Sequence, residues 1–215
     1  MADFKTELAK AAQAELSRFA GRDETDPTVR DILIEYWTKG GGRTVAGAKT
    51  EIRKRTAWSA AFISFCVKKA LAASGSSAKF TFSASHSVYI GASILNVLNN
   101  KPPPAFYGQP PTGAGAVKPE VGDIIGVTRT QHIDDYADAL DAARNEDTYF
   151  SHCDIVTAKA GGTIKRIGGN VSNSVTEKTL NLTSAGLLPV LPFKFDSAGQ
   201  VLSGPFICVI KQKDS

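Results

Sequence analysis

The sequence predicts an α+β fold, with N-terminal helices packed on a C-terminal antiparallel β-sheet. Apolar residues recur at helical spacing through the first hundred positions, whereas from Val121 onward short apolar runs are bounded by turn residues. Helical and strand patterns are therefore segregated, which argues against a doubly wound α/β sheet. At 215 residues with 42% hydrophobic content, the chain is long enough to bury one sizeable core and is read as a single domain. Within it, 1–100 is mainly helical, 101–120 is a Pro/Gly-rich loop, and 121–215 is mainly β with a helical insert near 134–147.

Phe4, Leu8, Ala11, Ala12, Glu15 and Phe19 trace one helical face that ends near Gly21. "DETDPTVRDILIEYWTKGGG" reads as a second helix, with Asp26 as N-cap and Pro27 as first helical residue. Val29, Leu33, Tyr36 and Trp37 share one side of it, and the three glycines at 40–42 stop it. Trp58 to Ala73 is the most apolar helix, with Thr56 as its N-cap. Ser87 to Asn99 forms another after an extended start, and "KPPPAFYGQPPTGAGAVKPEVGD" is a surface loop because its prolines and glycines fit neither periodicity. "GDIIGVTR", "HCDIVTAKA", "GTIKRIGGNV", "KTLNLT" and "PFICVIKQ" read as strands, with the acidic "DDYADALDAARNEDTYF" as an inserted helix.

A net charge of +4 is mild, and the one basic cluster, "KTEIRKR" at Lys49–Arg55, carries no interleaved aromatics. Nucleic acid is therefore not an expected partner, whereas anionic polymers such as wall glycans fit a basic face. No window approaches a membrane span, and the charged N-terminus lacks the apolar core of a secretory signal. Cys66, Cys153 and Cys208 fit neither a disulfide framework nor a zinc pattern, and no metal or cofactor is implied.

Three histidines are easily weighed. His132 sits in a solvated loop, and His86 of "SASHSVYI" is either a structural residue at a helix start or part of a site. His152 opens a strand in "YFSHCDIV", and residues two apart share a face, so Asp154 projects beside it while Cys153 points away. A carboxylate there can hold the imidazole's tautomer and stabilise its charged form. Ser59 of "RTAWSAAFISFC" lies at a helix start, where it is either a cap or a nucleophile favoured by the helix dipole. As a nucleophile it needs a well-placed base. Asn170, after Gly168 and Gly169, is either a turn residue or an amide orienting a neighbouring histidine.

In order, "YW", "AWSAAFISF", "VGDIIGV", "HCDIV" and "IGGNVSNSV" resemble bacterial peptidoglycan amidases of the CHAP and NlpC/P60 type, members of the papain-like superfamily. The chain is also similar to the bacterial domain of unknown function numbered 2272 in "WSAAFIS", "SHSVYI", the Gly-Asp strand with its following Arg, "HCDIV" and "IGGN". The first resemblance implies a papain-like fold, with Ser59 at the place of the nucleophilic Cys, His152 at the general base, and Asp154 or Asn170 orienting it. The amidases' Glu falls on Gly168, so two of four expected groups differ. Trp58, His86, Tyr89 and Arg129 are the candidate substrate-binding residues.

The resulting expectation is a peptidoglycan hydrolase, amidase or peptidase in type, with the wall or its peptide stems as partner. Glycan cleavage and a silent wall-binding or particle component are the alternatives. Lacking a signal peptide, it is expected to be made in the bacterial cytoplasm. It would then act at the wall after delivery by a secretion apparatus or phage, with a cognate immunity protein as a possible further partner.

Overall fold

The computed structural model describes residues 3–214. It is α+β, as the segregated patterns predict. The first helix, α1 (Phe4–Phe19), is capped by Asp3, whose carboxylate accepts from the Thr6 N–H, and it ends at Ala20 in the left-handed region. The predicted second helix is instead three short pieces: a 3₁₀ turn at Pro27–Val29, α2 (Arg30–Glu35) and a π turn at Tyr36–Gly40. The widened last turn brings Gly40 against α4, where a Cβ would lie 2.0 Å from the Ala61 carbonyl oxygen. Close backbone approach, not only helix termination, thus explains a glycine at position 40.

Beyond it come α3 (Val45–Arg53), α4 (Ser59–Ser74) and α5 (His86–Leu98). The pattern reading gave no helix to α3; Thr44, which caps it through the Gly47 N–H, was the available signal. The predicted cap for α4 is corrected from Thr56 to Trp58, which makes no side-chain capping bond. Thr56 is held elsewhere, its N–H donating to the Glu51 carbonyl at the end of α3.

Six strands form one antiparallel sheet in the order β1-β8-β2-β3-β4-β5. They are β1 (Ala105–Gln109), β2 (Ile124–Thr128), β3 (Ser151–Ala160), β4 (Thr163–Val171), β5 (Ser174–Asn181) and β8 (Phe206–Lys213). The acidic insert before β3 holds α6 (Tyr136–Arg144), and β6 (Lys194–Phe195) with β7 (Val201–Ser203) makes a separate small hairpin. One expectation fails here: the Pro/Gly-rich loop contains β1, whose "AFYG" is buried and pairs with β8. An edge strand needs only one row of ladder bonds, so prolines on both flanks do not prevent it.

Helices α1, α4 and α5 cover one sheet face, where Ile124, Cys153, Ile155 and Ile167 join the main core. The other face carries Ile125, Val127, Val156, Ile164 and Val209, covered by Leu188 and its loop. Gly122 and Asp123 fasten α1 to the sheet. A Cβ on Gly122 would meet the Lys5 backbone at 2.4 Å, and buried Asp123 pairs with Lys5 and Lys211.

Candidate active site

The start of α4 is fixed by aromatic packing. Trp58 stacks between Phe19 and Tyr36, at centroid distances of 5.4 and 5.6 Å, and its Nε1–H donates to Glu24 Oε2 at 2.8 Å. Ser59 follows as the first helical residue, and its hydroxyl does not cap. Instead Ser59 Oγ lies 2.7 Å from His86 Nε2. His86 opens α5, and the segment before it is clamped to α4: Ser64 Oγ donates to the Ser83 carbonyl at 2.9 Å and accepts the Ser83 N–H at 3.2 Å.

One helical turn beyond His86, the Tyr89 hydroxyl hydrogen-bonds His86 Nδ1. Burial raises both the Tyr89 phenol and the neighbouring Cys153 thiol, which keeps both groups protonated. In the tautomer protonated at Nδ1, His86 donates to the Tyr89 hydroxyl, and Nε2 keeps the lone pair that accepts the Ser59 hydroxyl. Burial, then the nearby His152 and Arg129, hold the His86 imidazole well below its usual range, so the ring is neutral.

A second imidazole sits against the first. The His86 and His152 rings meet edge to face, with centroids 5.4 Å apart. His152 Nε2 is 3.0 Å from Asp154 Oδ1, and Asp154 Oδ2 pairs with Arg166, which β3–β4 register brings alongside. Burial pushes the Asp154 carboxyl up, but the His152 and Arg166 charges outweigh it and hold the group well below the usual carboxylate range. Ionised Asp154 accepts a hydrogen bond from His152 Nε2–H, leaving His152 Nδ1 buried without a partner.

Gly168 explains the missing side chain at that position. A Cβ there would fall 2.0 Å from Asp154 Oδ1 and 2.9 Å from His152 Nε2. Asp154 thus occupies the space that a side chain at position 168 would take. Gly169 has its own reason, since a Cβ would lie 2.6 Å from Phe62 on α4.

The structure brings together Ser59, His86 and Tyr89, and separately His152 with Asp154. The direct partner of Ser59 is His86 and not the expected His152, because one His152 nitrogen is taken by Asp154 and the other bonds nothing. Asn170 makes no side-chain hydrogen bond among the described residues; it is the left-handed residue (φ 55°) of an irregularity between Gly168 and Val171. Arg129 is half-buried and near enough to Asp154 to feel its charge, with its Nε unpartnered. His132 is exposed, and the three cysteines are free and buried. The Asp134, Asp135 and Asp138 carboxylates gather within 4.8 Å at the start of α6, where Asp135 serves as the helix cap. Arg166 escaped the sequence reading, since only strand register reveals its partner.

Two clefts border this cluster. One of about 450 Å³ reaches Trp58. The other, of about 370 Å³, is walled by Ser85, Thr130, Tyr149 and Phe150, each within three positions of His86, Arg129 or His152 in the chain. Phe150 stands 82% exposed at its rim, while Ser59 and His86 are only 5% exposed and line neither cleft.

No curated protein and no solved structure matches the chain. A family model covers residues 27–197, and the chain belongs to the family it defines, DUF2272, described as uncharacterized proteins conserved in bacteria.

Proposed function

We propose that this protein is a serine hydrolase of papain-like arrangement that cleaves an amide bond in bacterial wall peptide. The observation that carries the reading is the 2.7 Å contact between Ser59 Oγ, at the N-terminus of α4, and His86 Nε2. In the reaction, Ser59 Oγ attacks the carbonyl carbon while its proton passes to His86 Nε2. The oxyanion is held by backbone N–H groups of the first turn of α4, which lack intrahelical acceptors. Collapse of the intermediate expels the amine, which takes the proton back from His86. Water then attacks the acyl-serine with the same imidazole as base. Tyr89 holds the tautomer, and ionised Asp154 offsets the charge that develops on His86.

Support for the papain-like arrangement is the packing of α4 on β3 and β4, with His152 opening β3. The proposed base is His86, with His152 as its electrostatic neighbour. Glycan cleavage by paired carboxylates gains no support, since Asp154 is the cluster's one acid and is held ionised. On this reading the protein acts at the wall, reached through a secretion or phage particle.

A second reading is favoured by a specific observation: Ser59, His86, His152 and Asp154 are all 5% exposed or less. A buried cluster suits a silent wall-binding or particle component as well as an enzyme that opens on substrate. One experiment separates them. Sacculi are incubated with the protein and with Ser59→Ala, His86→Ala and His152→Ala, and soluble fragments are read by mass spectrometry. Fragment release lost in Ser59→Ala and His86→Ala supports the hydrolase. Release that survives either change refutes the assigned roles, and co-sedimentation without release supports the binding module.

A further inference from the structure

The 450 Å³ cleft beside Trp58 carries charge that the proposed chemistry does not use. It opens between the segment 24–33 and the segment 49–58. Its lining holds four exposed cations, Lys49, Arg53 and Arg55 from the second segment, which supply most of the basic cluster seen in the sequence, and Arg30 from the first. Nearby basic residues are neutralised, Lys39 by Glu35 and Arg43 by Glu51. The four cleft cations make no ion pair among the described residues.

The first segment also adds two carboxylates that are only partly used. Glu24 takes the Trp58 indole N–H on Oε2, and Asp26 takes the Thr28 N–H and hydroxyl on Oδ1. Glu24 Oε1 and Asp26 Oδ2 accept no hydrogen bond among the described residues. Pro27 and Ile52 give the cleft apolar surface, with the nearly fully buried Leu33 and Trp58 beneath them.

We propose that this cleft binds a short zwitterionic peptide segment, its carboxylates on the Lys49, Arg53 and Arg55 side chains, an ammonium on Glu24 and Asp26, and its aliphatic part over Pro27 and Ile52. A polyphosphate or nucleic-acid strand fits less well, because the two carboxylates repel it and no exposed aromatic row stacks bases. The inference rests on the hydrolase reading only in assigning this ligand to the substrate chain that reaches Ser59, the residue after Trp58. The binding site itself stands on the cleft.

The test uses the full chain as Ser59→Ala, so that absence of turnover is not mistaken for absence of binding. The probe is the peptide Ala-Glu-Lys-Ala with free termini, at millimolar concentration, followed by amide chemical shifts. Saturable shifts are expected in 24–33 and 49–58. They should weaken by about two- to fivefold for each of Lys49→Gln and Arg53→Gln, and with added salt. Both side chains are exposed, so these variants fold. The proposal is overturned by shifts elsewhere, by no shifts, by equal shifts with a neutral peptide of blocked termini and Gln for Glu and Lys, or by tighter binding of tripolyphosphate. If the peptide binds here while sacculi are never cleaved, the hydrolase reading fails and the cleft assignment survives.

Discussion

Adding one methyl group at Gly168 tests how the polar cluster is built. The Cβ of Gly168→Ala would lie 2.0 Å from Asp154 Oδ1 and 2.9 Å from His152 Nε2, with Val171 Cγ2 at 3.1 Å. Neither polar partner is a flexible surface group: both are 4% exposed, and Asp154 is further held by Arg166. The carboxylate must therefore leave its pocket or the strand must move. Overpacking of this kind costs about 1–3 kcal/mol. Breaking a buried ion pair costs about 3–5 kcal/mol. A loss of roughly 2–5 kcal/mol follows if relaxation is partial, or on the order of 5–15 °C in Tm for a chain of this size. Thermal denaturation of Gly168→Ala, Asp154→Ala and the double variant measures it. Removing the carboxylate relieves the clash, so the double variant should be no less stable than the worse single variant. Strictly additive losses, or a Gly168→Ala protein as stable as the parent, refute the claim that Asp154 occupies the space of a side chain at 168. Gly91→Ala is the control: its Cβ meets Ala143 at 3.4 Å, ordinary contact, so it should be neutral or gain up to about 1 kcal/mol from helix propensity.

Other consequences follow from the same cluster. Folded His86 resists protonation, so below roughly pH 6.5 the unfolded chain binds a proton that the folded chain does not, and stability falls by about 1.4 kcal/mol per pH unit. Urea denaturation between pH 5 and 7 should show this slope flattened in His86→Gln. Asp154, with its folded pKa depressed, stabilises above roughly pH 4 and loses that contribution as pH falls further, which Asp154→Asn should remove from an acid titration. Tyr89→Phe leaves His86 Nδ1 unpaired in the core and should cost about 1–3 kcal/mol in denaturant melts, with no comparable loss for Tyr107→Phe, whose hydroxyl meets the backbone carbonyl of exposed Lys101. Cys66, Cys153 and Cys208 are buried, and burial raises all three thiols, so a thiol reagent should label none in the native protein at pH 8 and all three in denaturant.

The sequence by itself determined the class of fold and much of its core. Residues spaced three and four apart, such as Phe4, Leu8, Ala12 and Phe19, share a helix face whatever the surroundings, and all four are buried. Strand alternation likewise put His152 and Asp154 on one face and Cys153 on the other, because the period of two is a property of the backbone. The broken second helix and the paired strand inside the Pro/Gly-rich segment were not legible locally. Gly40 is needed only because α4 passes there, and "AFYG" pairs only because β8 offers an edge. Ser59 shows the same limit. Its residue type and place at a helix start were readable, but its partner was not. Which imidazole meets the hydroxyl depends on Ser64 clamping the start of α5 to α4, and on Asp154 claiming His152 in the room that Gly168 leaves. Those contacts join residues far apart in the chain, and only the packed tertiary structure sets their distances.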